Sequence, residues 1–282
     1  MFNLLKVTEA SHYFRQSLKI NPYSFEANCN YLMMLQFDLN QTEKSLFKEH
    51  RSRVPYLQKL ASTVFKDYDN SKDPHKKIKI GYISPDFRCH STAYLLDNLL
   101  NYRNKEHFYL VCYADFLFPE DDFTQRFKSL SDEWHEITLL SPQQVAEKVR
   151  SHHIDLLIDP GMGFATPNRL LVFACQPAPV QVTFYPGSTG TSFFAYRLSD
   201  FALDPIEEKG LSSEKILRLP QSVFCFSPPQ DAPDIEELAM VKTGWLTFGC
   251  FNQLAKLNEH VLELWVNIMQ QISSSHLILK NA

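Results

Sequence analysis

Two periodicities meet near residue 75 of the chain. Ahead of it, apolar and small residues recur three and four positions apart. In "ASHYFRQSLKINP" Ala10, Phe14 and Ser17 share one face, and Pro22 closes the run. "EANCNYLMMLQFDLNQTEKSLFKEHRSRVPYLQKLASTV" continues in the helical period with mixed charge. From residue 77 the pattern changes. "KIKIGYIS", "FYLVCYA", "IDLLIDPG", "APVQVTFY", "AYRLSDFALDP" and "EKILRLP" read as short, largely apolar strands. "TAYLLDNLLNYR" and "SPQQVAEKVRSHH" read as helices between them, the second capped by Ser141 and ending in an exposed "SHHID". Strands alternating with helices predict an α/β fold with a parallel, doubly wound sheet.

"DAPDIEELAMVKTG" is acidic, Pro-containing and weakly patterned, as a linker would be. After it "WLTFGCFN", "EHVLELWVNIMQQIS" and "SHLILKNA" form one β-α-β unit, too small to be a domain by itself. Three parts are expected: helices over 1–75, a Rossmann-like unit over 76–237, and the opening of a second such domain over 238–282. The spacing of Ala10, Phe14 and Ser17 also fits the second helix of a tetratricopeptide repeat. A helical bundle packed on its neighbour fits equally well.

Composition narrows the function classes. At 282 residues, with 44% hydrophobic residues, the chain has ample material for a core. A formal charge of −4 argues against a dedicated nucleic-acid binder. Cys29, Cys89, Cys112, Cys175, Cys225 and Cys250 form no CxxC pair, which suits reduced thiols better than a disulfide framework or zinc site. No apolar stretch is long enough to cross a bilayer, and the N-terminus lacks the order of a signal peptide. A cytoplasmic protein with no membrane contact is the expectation.

With eight glycines and neither GxGxxG nor GxxxxGK[ST], the two common phosphate loops are absent. Candidate chemistry is therefore sought at strand tips, where doubly wound sheets gather ligands. "SPDFRCHS" carries Asp86, Arg88 and His90 just before a helix. His90 there either serves as base or ligand contact, or caps the helix while Asp86 pairs with Arg88. "DPGMGFATPNR" and "FYPGSTGTS" read as tight turns or close-approach loops, the first leading into a helix entered at Pro167. In "TFGCFNQLAKLN", Asn252, Gln253 and Lys256 lie between a strand and a helix. They form either a solvated loop or a diphosphate site with Lys256 as the point charge. The histidines show no metal-ligand spacing, and no Ser-His-Asp order stands out.

Taken in order, "KIKIGYISPDFRCHS", "NRLLVFACQPAPVQVT", "YPGSTGT", "SEKILRLPQSVFCFSPP" and "TFGCFNQLAKLN" resemble the O-linked N-acetylglucosamine transferases and the related SPINDLY-type fucosyltransferases. The resemblance covers nearly the whole chain. It implies a GT-B glycosyltransferase, with two Rossmann-like domains facing across a cleft. The implied reaction moves a sugar from UDP-GlcNAc, or from GDP-fucose, to Ser/Thr hydroxyls of protein acceptors, with no cofactor and no metal. Within it His90 matches the histidine near the reacting centre, beside Asp86. Gln253 and Lys256, with Asn252, match the nucleotide contacts, Lys256 neutralising the leaving diphosphate. A homo-oligomer is compatible with the family.

Two departures stand out. The family's Gly-His-Thr is replaced by a loop with one residue inserted and Phe164 near the histidine position, and Trp-Leu-Gly-Tyr-Pro-Gly is shortened to "FYPG". A misplacement of about 1 Å beside a reacting centre costs on the order of a hundredfold in rate. The resemblance therefore implies a chain that starts the donor-binding domain without completing it and is inactive alone. A non-catalytic protein-binding module of the same ancestry is the alternative.

Overall fold

The computed structural model describes residues 7–280 apart from 62, 117–118, 162–168, 185, 207–209, 227, 230 and 273. Three helices come first: α1 (Val7–Ile20), α2 (Phe25–Leu35) and α3 (Glu43–Leu60). Ser24 and Thr42 cap the second and third with their hydroxyls, Thr42 in a reciprocal capping box with Ser45. The buried face of α1 is Ala10, Ser11 and Leu18, with Phe14 packed beside it. Ser17, expected on that face, is exposed.

The alternating region follows as β1 (Ile78–Ser84), α4 (Ser91–Asn101), β2 (Phe108–Ala114), α5 (Asp122–Leu130), β3 (Glu133–Glu136), α6 (Pro142–Ser151), β4 (Leu156–Asp159), α7 (Leu170–Ala174), β5 (Val180–Thr183), β6 (Tyr196–Asp200) and β7 (Lys215–Leu219). All pairings in the seven-stranded sheet are parallel, in the order β3-β2-β1-β4-β5-β6-β7. This is the mixed α/β, doubly wound arrangement that the strand-helix alternation predicts. Two elements escaped the sequence reading. "EWHE" is charged and four residues long, yet it pairs as edge strand β3. α5 carries a polar surface around a single fully buried aromatic, Phe127. The helix entry expected at Pro167 lies outside the described residues, and α7 is seen from Leu170.

Neighbouring positions along each strand feed opposite faces. Ile83, Val111, Tyr113 and Leu157 join α6, α7 and the N-terminal helices in one core. Tyr82, Leu110, Cys112 and Ile158 join α4 and α5 in the other. A strand buried on both faces reads as a continuous apolar run, which is why β1 and β2 are so legible. The N-terminal helices belong to the first core through Leu18, Leu32, Leu35 and Leu57. Cys29, Cys112 and Cys175 are free and buried, whereas Cys89 and Cys225 are free and exposed.

Residues 231–238 run exposed to the short helix α8 (Ala239–Thr243), which Gly244 ends in the left-handed region at φ 78°. Then β8 (Thr247–Cys250), α9 (Glu259–Gln271) and β9 (His276–Leu279) form a separate two-stranded parallel sheet with its crossover helix. No residue of α9 is buried, and Leu262, Leu264, Val266 and Ile268 all stand open. Among the described residues no helix is long and apolar enough to cross a membrane.

Candidate active site

In the sheet order the direction of winding reverses between β1 and β4. Adjacent crossovers leave to opposite faces there, and the carboxyl ends of these two strands are the place where doubly wound sheets bind ligands. Asp86 and His90 sit on the loop after β1. Asp159 is the last residue of β4, and Thr183 is the last of β5.

His90 occupies the N-cap of α4. Its Nδ1 accepts from the Thr92 backbone N–H at 3.3 Å and lies 3.1 Å from the Thr92 hydroxyl. An accepting Nδ1 places the imidazole proton on Nε2, so in this arrangement His90 offers a donor to an oxygen at the strand ends. Asp86 Oδ1 lies 3.4 Å from the same Nδ1. Asp86 is also 3.9 Å from Arg88, and its backbone N–H donates to Ser84 Oγ at 3.0 Å. The capping alternative is what the structure displays: His90 caps the helix and Asp86 meets Arg88, and the pair lies at the switch point.

Asp159 was read in the sequence only as a polar strand end. Its Oδ1 accepts from the Gly161 N–H at 3.0 Å, and Oδ2 accepts from the Thr183 hydroxyl at 3.4 Å. Burial outweighs those bonds, the charge of Asp86 adds to it, and the carboxyl is pushed up to about 7. A carboxyl poised near neutrality at a strand tip is able to exchange protons there. No local pattern marks it, because the cause is long-range enclosure.

The same shift has a sign in stability. Between about pH 4 and 7 the folded chain keeps a proton on Asp159 that the unfolded chain has released, so stability falls as pH rises through that window. His50, buried under the 186–190 loop, works oppositely: burial holds it down at about 4. Its contribution is lost as pH falls from about 6.5 to 4. The two slopes offset one another in the wild type. Asp159→Asn is expected to gain on the order of 2–3 kcal/mol over wild type near pH 8 and nothing near pH 4. Urea unfolding across pH measures this, and equal stabilities at pH 8 would refute the assignment.

Lys256 lies in another part of the molecule. A 3-10 turn (Leu254–Lys256), with Gln253 at its N-cap, separates β8 from α9. Lys256 Nζ donates to Asn252 Oδ1 at 3.2 Å. The expected helix N-terminus is taken by its own cap, since Asn258 Oδ1 accepts from the Val261 N–H at 3.0 Å. Asn252, Gln253 and Lys256 are all exposed. A cavity of about 680 Å³ beside Lys256 is walled by Glu9, Gln36, Asp38 and Asn40 of the N-terminal helical segment. The structure thus gathers Asp86 and His90 at one place, and Asn252, Gln253 and Lys256 at another. Among the described residues no hydrogen bond or ion pair joins the two groups. Phe164 and Tyr185, which mark the two loop departures, lie outside the described residues.

A second cavity, of about 560 Å³, lies beyond the β5 and β6 tips. It is lined by Glu43 and His50 of α3 and by Gly187, Ser188, Arg197 and Asp204. Glu214 holds its rim by accepting from Ser188 Oγ at 2.8 Å and from the Thr189 N–H at 2.9 Å. Gly187, Ser188 and Thr189 belong to the "FYPGSTGTS" loop singled out in the sequence, whereas Glu43, His50, Arg197, Asp204 and Glu214 were not singled out there.

The sequence model of glycosyl transferase family 41 matches residues 34–244. The chain belongs to that family. Curated relatives include the probable UDP-N-acetylglucosamine–peptide N-acetylglucosaminyltransferase SPINDLY of Petunia hybrida, 33% identical over 269 residues. That alignment covers 93% of this chain and 28% of the petunia protein. The probable SEC transferase of Arabidopsis thaliana is 28% identical over 215 residues, covering 72% of this chain and 22% of its own length. Among solved structures, a mutant O-GlcNAc transferase of Thermobaculum terrenum superposes with a TM-score of 0.90 at 26% identity. That superposition takes in 99% of this chain and 53% of the bacterial one. The chain thus spans less than a third of the length of these plant relatives and about half of the bacterial protein.

Proposed function

We propose that this chain supplies the acceptor side of a protein O-glycosyltransferase, one that moves GlcNAc from UDP-GlcNAc to Ser/Thr hydroxyls. The observation that carries the reading is the Asp86-His90-Asp159 group at the switch point of a family 41 domain. Placed there, His90 Nε2–H orients an oxygen of the bound substrates, and Asp86 and Asp159 lie beside the path of the acceptor's proton. Lys256, with Gln253 and Asn252, would meet the diphosphate and neutralise charge on the leaving group, an effect usually worth more than proton transfer. The N-terminal helices would be the end of a tetratricopeptide array, and residues 238–282 the start of the nucleotide-sugar half.

Transfer by the chain alone is not expected. The open face of α9 and the separation of Lys256 from the strand tips of the seven-stranded sheet support a site that needs more protein to close. The second reading, a non-catalytic protein-binding module, is favoured by the cavity at Lys256, whose facing wall comes from α1 and the turn after α2 and not from strand tips of the seven-stranded sheet.

Calorimetric titration with UDP and with GDP distinguishes them. Millimolar or tighter UDP binding that Lys256→Ala weakens at least tenfold is the outcome expected of a donor site. Preference for GDP would move the donor to a fucosyl nucleotide. Absence of both, with retained binding of Ser/Thr-rich peptides, would favour the module.

A further inference from the structure

Edge strand β3 and the end of α6 bring together three groups that have no part in the proposed transfer. Glu133 and His135 are two residues apart on β3 and so share one face of the sheet. His152 is the C-cap of α6, which packs on that face through Val145, Ala146 and Val149. Glu133 Oε2 lies 3.0 Å from His135 Nε2, and the two imidazole rings are 4.5 Å apart. One ligand atom from each of the three residues falls within 4.8 Å of the others. We propose that Glu133, His135 and His152 form a binding site for a divalent transition-metal ion, zinc being the best match.

Two imidazoles and one carboxylate suit Zn²⁺ far better than Mg²⁺ or Ca²⁺, which need oxygen donors. Tetrahedral bonds of about 2.0–2.1 Å put ligand atoms about 3.4 Å apart, so the present spacing closes by side-chain rotation of half-exposed residues. The fourth position is left to water.

The surroundings orient the ligands as outer-shell partners do in metal sites. The Tyr113 hydroxyl is 2.9 Å from His152 Nδ1. With Nδ1–H donating to that oxygen, His152 Nε2 keeps its lone pair for the ion. Tyr113 pairs in register with His135 on the adjacent strand and stacks on both histidines, with ring centroids 5.6 and 5.8 Å away. The Tyr109 side chain hydrogen-bonds to Glu133 and holds the carboxylate. Lys148 and Lys79 are the opposing lysines that act on His152, and the Lys79 Nζ donates to the His152 carbonyl at 3.2 Å. A bound ion would clamp the edge strand, which has only β2 beside it, onto the helix that covers it.

The test is equilibrium dialysis and calorimetry of the chain with ZnCl₂, repeated on His135→Gln and Glu133→Gln. One equivalent is expected to bind, raising Tm by on the order of 5 °C at a large excess over Kd. EDTA should reverse the rise, and either substitution should weaken binding at least tenfold. MgCl₂ should do nothing. Cobalt(II) added to the wild type provides a readout that does not depend on the variants folding. Four-coordinate d–d bands without a thiolate charge-transfer band are the expected spectrum. A thiolate band would locate the ion on Cys89 or Cys225, the exposed free thiols, and would overturn the proposal. So would binding that survives both substitutions, or no binding by the wild type.

Discussion

Arg169→Ala is expected to lower the unfolding free energy by about 3–5 kcal/mol, the usual cost of removing one partner from a buried ion pair. The guanidinium is forked onto Asp115, with Nε to Oδ2 at 2.7 Å and an Nη to Oδ1 at 2.6 Å. Its remaining donors reach the carbonyls of Leu140 at 2.8 Å, Ile137 at 3.0 Å and Thr138 at 3.2 Å. One side chain thereby ties the end of β2, the segment after β3 and the start of α7. Truncation leaves a carboxylate only 6% exposed without its counter-charge, and three carbonyls without a donor. Arg169→Lys should recover less than half of the loss, because an ammonium cannot fork across Asp115 and still reach three carbonyls. Urea unfolding of the variants measures both. A loss under about 1 kcal/mol would mean that water replaces the guanidinium at little cost.

Gly190→Ala is the second large effect, expected at about 2–5 kcal/mol. Two causes add. The residue sits at φ +69°, where a side chain costs about 1–2 kcal/mol. A Cβ there would stand 2.7 Å from His50 Cβ and 3.0 Å from the Arg51 backbone nitrogen, and such overpacking costs about 1–3 kcal/mol. α3 would have to move off the loop, breaking the contact of His50 Nδ1 with the Thr189 carbonyl at 3.3 Å. Gly244→Ala separates the causes. Its φ is +78°, yet nothing lies within 4 Å of the added carbon, so only the backbone term of about 1–2 kcal/mol is expected. Equal losses at the two glycines, measured by the same unfolding, would remove the packing contribution.

These contacts show how unevenly the fold was written in the sequence. β1, β2 and α6 were legible to within a few residues, because two-faced burial demands unbroken apolar runs and Ser141 caps α6 with its own hydroxyl. β3 was not, since an edge strand with charged residues satisfies its backbone through β2 and needs no apolar signature. Ser17 was placed on the wrong face because the small-residue spacing of a repeat was read ahead of the burial that Leu18 demands. Among the candidate site residues, His90 was singled out through strand-tip position and family resemblance together, and Asp86 through its place on the same strand tip. Asp159 was passed over because one aspartate at a strand end looks like any other.

Local order along the chain was enough to establish the alternation of strands and helices, the caps, the change of texture near residue 75 and the family 41 signatures. Each depends on neighbours a few positions away, where sterics and hydrogen bonding act through the backbone itself. Folding in three dimensions decided the rest. It raised Asp159 by enclosing it with Asp86, silenced the charge of His50 under a loop 139 residues distant, and set His152 against His135 and Glu133. Electrostatics and desolvation act through space, so the state of a titratable group is set by whatever the fold brings beside it.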